Sequence, residues 1–120
     1  DLGKYGKMLL NQGLVNNRDL LDRELINLFT ARQSTVDEAN RGYGWDRPDR
    51  DGTSSAGDYF SDKAFGHLGY TGTSFWIDPE QQLIVVLLTN RVHPTREKTG
   101  IKQVRRRFHN TIVKSILNFN

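Results

Sequence analysis

The fold is decided by Phe65-Gly66-His67-Leu68-Gly69-Tyr70-Thr71-Gly72-Thr73-Ser74-Phe75-Trp76-Ile77-Asp78-Pro79-Glu80-Gln81-Gln82-Leu83-Ile84-Val85-Val86-Leu87-Leu88-Thr89-Asn90. Thr71-Gly72 separates two runs rich in apolar and aromatic residues, and the glycine can take the positive φ of a two-residue turn. Asp78-Pro79-Glu80-Gln81 suits a type I turn with proline in its second position. The run from Leu83 to Leu88 is apolar at odd and even positions alike, so a strand there must be covered on both faces. The pattern predicts a three-stranded antiparallel meander at about 65–70, 73–78 and 83–90. It also predicts that the last strand is central in a larger sheet.

Downstream, Ile101, Val104, Phe108, Ile112, Ile116 and Phe119 step by three or four and make one apolar stripe, predicting an amphipathic helix over 96–119. Lys102, Arg105, Arg106 and Lys114 fall off that stripe. Upstream, Leu2, Tyr5, Met8 and Leu9 recur at helical spacing, and Gly13 offers a stop after Asn11-Gln12. Asp22 can cap a second short helix, with Glu24 near its N-terminal dipole and Leu25, Leu28 and Phe29 as its buried stripe. Arg41-Gly42-Tyr43-Gly44-Trp45 reads as a short strand, and 46–63, rich in Asp, Gly and Ser, as an exposed loop. Residues 1–120 then form one α+β unit, with a helical part (1–31), a short strand and polar loop (32–64), the sheet (65–90) and the C-terminal helix (96–119).

Composition narrows the chemistry. The 120 residues contain no cysteine, which excludes a disulfide scaffold, a thiolate metal site and a cysteine nucleophile. The longest apolar run, Leu83 to Leu88, is far too short to span a membrane. The formal net charge of +3 hides an asymmetry, because Arg91, Arg96, Lys98, Lys102, Arg105, Arg106, Arg107 and Lys114 face Glu97 alone in the last thirty residues. His67, His93 and His109 show no paired ligand spacing and no adjoining carboxylate cluster, so no metal is expected. Trp45 and Trp76 are expected in packing rather than on a base-stacking platform. Gly66, Gly69 and Gly72 precede no helix and make no phosphate loop.

A strand as apolar as 83–90 needs neighbours on both sides, and the meander supplies one. Left open, such an edge invites pairing between chains. The chain also starts at Asp1 rather than at a methionine. The expected partner is therefore the preceding part of the same domain, with self-association of the isolated chain as the alternative.

Phe65 to Glu80, followed by Leu83–Asn90 and Arg91-Val92-His93-Pro94, resembles the C-terminal part of a serine β-lactamase-like hydrolase, a superfamily that includes class C β-lactamases, esterases, D-amino-acid peptidases and penicillin-binding proteins. Asp1 to Asn11 and Gly42-Tyr43-Gly44-Trp45 resemble segments that precede that sheet. The resemblance implies a larger β-lactamase-like α/β sandwich. Its three motifs are Ser-x-x-Lys for the nucleophile and base, Tyr-x-Asn or Ser-x-Asn for proton transfer, and Lys-Thr-Gly or His-x-Gly on the edge strand. No serine here precedes a lysine by three positions and no tyrosine precedes an asparagine by two. The third motif is matched by His67-Leu68-Gly69. Lys98-Thr99-Gly100 spells it literally, but beyond the last strand, and is set aside as coincidence.

The resemblance implies that the Tyr70 backbone N–H is one oxyanion-hole donor and that His67, Leu68 and Gly69 bind substrate, Gly69 by leaving room against the strand. It implies no cofactor, a small-molecule or peptide substrate, and an exported bacterial protein. His67 in place of lysine and Leu68 in place of a hydroxyl residue tilt the expectation from β-lactams toward an ester or peptide. On the residues alone, His67 can equally be a strand histidine bonded to a neighbouring carbonyl. Two other classes stay open: a non-catalytic interaction domain of the same fold, and a basic helix, Lys102 to Lys114, that binds nucleic acid or an acidic partner.

Overall fold

The computed structural model describes residues 1–35 and 40–117, so Phe119 of the expected stripe lies outside the described residues. The elements are α1 (Leu2–Leu10), β1 (Leu14–Val15), β2 (Arg18–Asp19), α2 (Arg23–Thr30), β3 (Phe65–Leu68), β4 (Ser74–Asp78), β5 (Leu83–Leu87) and α3 (Ile101–Leu117). The fold is α+β, with an antiparallel sheet in the order β3-β4-β5 as predicted. Phe65 pairs with Ile77 and Leu68 with Ser74 on one side of β4, and Ser74 with Leu87 and Asp78 with Leu83 on the other.

Every residue of β4 is buried, as befits the middle strand. On β5, Leu83 and Val85 join Ala56, Phe60, Trp76 and Val113 on the α3 side. Ile84 and Val86 pack toward Met8, Leu9, Phe65 and Phe75 on the α1 side. β5 is thus covered on both faces, as its pattern demands, while Leu88 just beyond it is exposed. Trp76 and Phe60 stack at 5.7 Å, and burying each stabilises the fold by about 2–3 kcal/mol. Among the described residues β4 is the one neighbour of β5.

The strands are shorter than predicted. The connection between β3 and β4 is not the two residues Thr71-Gly72 but the five residues Gly69–Thr73, closed by Gly69 N–H donating to the Thr73 carbonyl at 2.9 Å. Gly72 does take a positive φ, +99°. The β4–β5 connection is held by the Asp78 carboxylate, which accepts from the N–H groups of Glu80 and Gln81. Residues 41–45 form no strand; isolated bridges link Arg41 to Asp46 and Asp46 to Gly66. A further hairpin, β1–β2, has no counterpart in the prediction. Its turn is Asn16-Asn17, both at positive φ, a conformation asparagine tolerates.

The helices bury different faces from those predicted. In α1, Met8 and Leu9 are buried, but Leu2 and Tyr5 stay exposed. Gly6 explains the rotation: a Cβ there would stand 3.0 Å from Ile84 Cγ2, so its bare side is where the helix lies closest to the sheet. In α2, Asp22 caps as expected, accepting from Glu24 N–H at 2.7 Å and Leu25 N–H at 3.3 Å. The buried residues are Ile26 and Thr30, whereas Leu25, Leu28 and Phe29 are exposed. α3 starts at Ile101, leaving 96–100 outside it, and buries Arg105, His109 and Val113. Ile101, Phe108 and Ile112 flank that face, while Val104 and Ile116 point away from it. The helix turns this way because Arg105 and His109 have backbone and side-chain partners beneath it.

The 46–63 loop is packed rather than exposed throughout, with Ser54, Ala56 and Phe60 buried. Ser61 N–H and Oγ donate to Asp78 at 2.7 and 2.6 Å. Asp58 N–H donates to Asn110 Oδ1, and Asn110 Nδ2 returns a bond to Asp58. The Asp/Gly/Ser composition that reads as solvent exposure supplies these ties to α3 and β4.

Candidate active site

The site begins with an edge. Gly66 exchanges both backbone hydrogen bonds with Asp46, N–H to carbonyl in each direction at 2.7 and 2.9 Å. Gly66 and Trp76 are therefore a non-hydrogen-bonded pair across β3–β4, and by alternation so are Leu68 and Ser74. The backbone groups of Leu68 thus point away from β4, beyond the single bridge at Asp46. Tyr70 continues that outward series two residues on. A Cβ at Gly66 would come 2.4 Å from Trp76 Cδ2, so the glycine is what lets the indole lie across the strand.

The turn that follows is fixed through its oxygens. Gly69 O accepts from Gly72 N–H at 3.0 Å and from Arg105 Nη2 at 2.7 Å. Tyr70 O accepts from Arg91 Nε at 2.9 Å. Thr71 O accepts from Arg91 N–H at 2.9 Å and Thr89 Oγ1 at 2.8 Å. Gly72 O accepts from Arg105 Nε at 2.9 Å, and Thr73 O from Arg105 Nη2 at 2.9 Å. All five carbonyls are occupied. The Tyr70 N–H, in contrast, donates to no acceptor among the described residues. The Tyr70 side chain is 65% exposed, with the Arg91 guanidinium 4.9 Å from its ring centroid.

The motif residues divide between faces. His67 is exposed on the face that carries Phe65, opposite Phe75 in register. Leu68 points to the other face, half-buried against the Trp76 cluster. It lines a polar cavity of ≈ 310 Å³ with Trp76, Ser54, Ser55 and Lys102. The indole Nε1 of Trp76 is buried without a partner among the described residues. A Cβ on Gly69 would stand 2.0 Å from Thr73 Oγ1, so a side chain there would require the Thr73 hydroxyl to turn away. Lys98-Thr99-Gly100 lies in the exposed segment before α3 and opens no strand. Trp76 is core, and Trp45 packs edge-on against Phe65 at 5.1 Å.

Two buried groups went unread in the sequence. Arg105 sits at the bottom of the hairpin; burial first, then the neighbouring Arg91, pull its pKa below the usual guanidinium value. His109 Nδ1 lies 2.8 Å from the Ser55 carbonyl, which can only accept, so Nδ1 carries the proton. Nε2 then accepts from Ser74 Oγ at 2.9 Å. Burial is the largest cause of a His109 pKa lowered from its ordinary value, outweighing the bonds to Ser55 and Ala56 that raise it. This Ser–His pair imitates a catalytic dyad, but both residues are buried and no substrate reaches Ser74. The signal for both was available: Arg105, His109 and Val113 are spaced by four. Their polarity assigns them to the wet face on any hydrophobic count.

No group of three His, Asp or Glu side chains poised for a metal occurs among the described residues. No helix among them is long and apolar enough to cross a membrane.

Comparison with known proteins fits this architecture. The beta-lactamase family model matches residues 1–108. An N-acetylmuramyl-L-alanine amidase of Bacillus subtilis is 37% identical over 97 residues, covering 78% of this chain and 21% of its own length. The "Putative D-alanyl-D-alanine carboxypeptidase" of Escherichia coli is 32% identical over 95 residues, covering 78% of this chain and 21% of its own. A beta-lactamase from Mycobacterium bovis superposes with a TM-score of 0.72 at 17% identity, over 95% of this chain and 42% of that one. The chain thus spans about a fifth of these curated relatives and two fifths of that structure. The sheet order, the covering helices and the family match agree, and the chain belongs to the beta-lactamase family.

Proposed function

We propose that these residues form the edge-strand wall of an acyl-transfer site in a serine hydrolase, with Tyr70 N–H as one oxyanion donor. The observation that carries the reading is the hairpin after His67-Leu68-Gly69: five carbonyls are tied back into the protein, while the N–H groups of Tyr70, Thr71 and Thr73 have no acceptor among the described residues, and Tyr70 is the one of these that directly follows the motif at the end of an open edge. The nucleophile and its base lie outside these 120 residues, in the rest of the same domain, which is the proposed partner of the β5 edge. A serine hydroxyl attacks an ester, amide or lactam carbonyl while a Lys/Tyr pair takes its proton. The carbonyl π electrons move onto oxygen, where Tyr70 N–H stabilises the charge. Collapse expels the leaving group, which takes up the proton, and water then releases the acyl group from serine. One such donor contributes about 3 kcal/mol at the transition state.

His67 and Leu68 favour an ester or peptide over a carboxylate-anchored β-lactam, because neither matches the lysine and hydroxyl of Lys-Thr-Gly. The amidase and carboxypeptidase names of the relatives support a cell-wall peptide as the substrate class. The bacterial relatives also support an exported bacterial setting. The basic-helix alternative is weakened by what the three consecutive arginines do. Arg105 is buried on carbonyls, Arg106 pairs with Asp58, and only Arg107 is exposed. A catalytically silent interaction domain of the same fold is separated by covalent labelling. A fluorophosphonate probe is expected to label the full-length protein on serine and to leave residues 1–120 alone unlabelled. A folded, unlabelled full-length protein, or serine-dependent turnover by residues 1–120 alone, overturns the reading.

A further inference from the structure

We propose that Arg105 is a positioning residue for the oxyanion site, fixing the peptide group between Gly69 and Tyr70 so that the Tyr70 N–H points along the open edge; this rests on the reading of Tyr70 above. The carbonyl of Gly69 and the N–H of Tyr70 belong to one planar trans unit and point in opposite directions. Whatever holds the oxygen therefore aims the hydrogen. Arg105 Nη2 holds that oxygen at 2.7 Å and also reaches Thr73 O at 2.9 Å. Its Nε reaches Gly72 O at 2.9 Å. One guanidinium thus grips both legs and the crown of the hairpin.

The grip matters because the Gly69 carbonyl has one other donor among the described residues, the Gly72 N–H at 3.0 Å, which belongs to the same hairpin. Gly69 and Gly72 have no Cβ to restrict them, and a peptide between glycine and its neighbour can flip at little steric cost. Flipping the 69–70 peptide would turn the Tyr70 N–H toward a guanidinium and leave that charge, 7% exposed, short of an acceptor. The positive charge on the carbonyl side also polarises the amide and strengthens its N–H as a donor. Arg91 acts on the next peptide, through Tyr70 O. Arg106, one residue along α3, pairs with Asp58 and forms no hydrogen bond to the hairpin. It is the control.

The test uses the full-length protein and an ester substrate. Arg105→Met is expected to lower kcat by about 10–100-fold with KM changed by less than about 3-fold, and to weaken a boronic acid transition-state analogue in step with kcat. Arg105→Lys, keeping a charge but losing the fork, is expected to fall between. Arg106→Met is expected to leave kcat where it was. Tyr70→Pro removes the N–H itself, and its result separates the two levels. If Tyr70→Pro keeps full kcat, the reading of Tyr70 fails. If Tyr70→Pro loses kcat while folded Arg105→Met and Arg105→Lys keep it, the role of Arg105 alone is overturned. A loss confined to KM, or failure of both Arg105 variants to fold, likewise assigns Arg105 to binding or to structure and overturns its positioning role.

Discussion

The two faces of the sheet are stabilised by different means. On the α1 side the core is Met8, Leu9, Ile26, Phe65, Phe75 and Ile77, and the packing is almost wholly apolar. On the α3 side, Trp76, Phe60 and Val113 share the interior with five buried polar residues, Ser54, Ser74, Asp78, Arg105 and His109, each with hydrogen-bond partners. The apolar face leaves Tyr5, Leu25 and Phe29 exposed around a shallow apolar cavity shared with Trp45. The polar face reaches the hairpin at Tyr70. Apolar packing tolerates rearrangement of shape, whereas a satisfied buried network accepts one geometry. The face built from fixed polar contacts is the one proposed to hold the Tyr70 N–H in place.

Substitutions in the two cores sharpen that contrast. Ile77→Ala, at a fully buried β4 position, should cost about 4 kcal/mol in denaturant unfolding, because it opens a cavity where the apolar face is tightest. Asp78→Ala should cost about 3 kcal/mol, since four donors from Ser61, Glu80 and Gln81 lose their acceptor. If Asp78→Ala costs under about 1 kcal/mol, the polar face is not stabilised as described.

A pH titration then breaks the symmetry between faces. The folded pKa of His109 lies below its ordinary 6.5, so below about pH 6.5 the unfolded chain binds a proton that the folded chain does not. Unfolding free energy should therefore fall as pH drops from 7 toward 5, by up to about 1.4 kcal/mol per pH unit from this group. His109→Gln should flatten that slope, measured by urea melts at each pH, and an unchanged slope would remove His109 as its source. The smallest effect is expected at the α2 cap: Asp22→Ala loses its bonds to the Glu24 and Leu25 N–H groups and should cost about 1 kcal/mol.

The same contrast explains what was legible beforehand. The three strands, the two-sided cover of β5 and the Asp22 cap all follow from short-range patterns, whereas the place of His67-Leu68-Gly69 came from the family resemblance. Periodicity misplaced the faces of α1, α2 and α3 because it counts side chains, not the room beneath them. Gly6 turns α1, and Arg105 with His109 turns α3. The 46–63 loop was misread for a related reason. Its ties run from Ser55 to His109 and from Asp58 to Asn110, more than fifty residues apart, and no local pattern announces them. For the candidate site, the motif and the Tyr70 N–H were implied by the family resemblance. The arginines that surround its hairpin come from after β5 and from α3, where their charge suggested solvent.

The most direct measurement is a crystal structure of the full-length protein acylated by, or bound to, a boronic acid that mimics the tetrahedral intermediate. The account predicts a boronate oxygen about 3 Å from the Tyr70 backbone nitrogen, with the Gly69 carbonyl still held by Arg105. A boronate bonded to serine whose oxygens lie away from Tyr70 N–H, or a 69–70 peptide flipped off Arg105 in that complex, would contradict it.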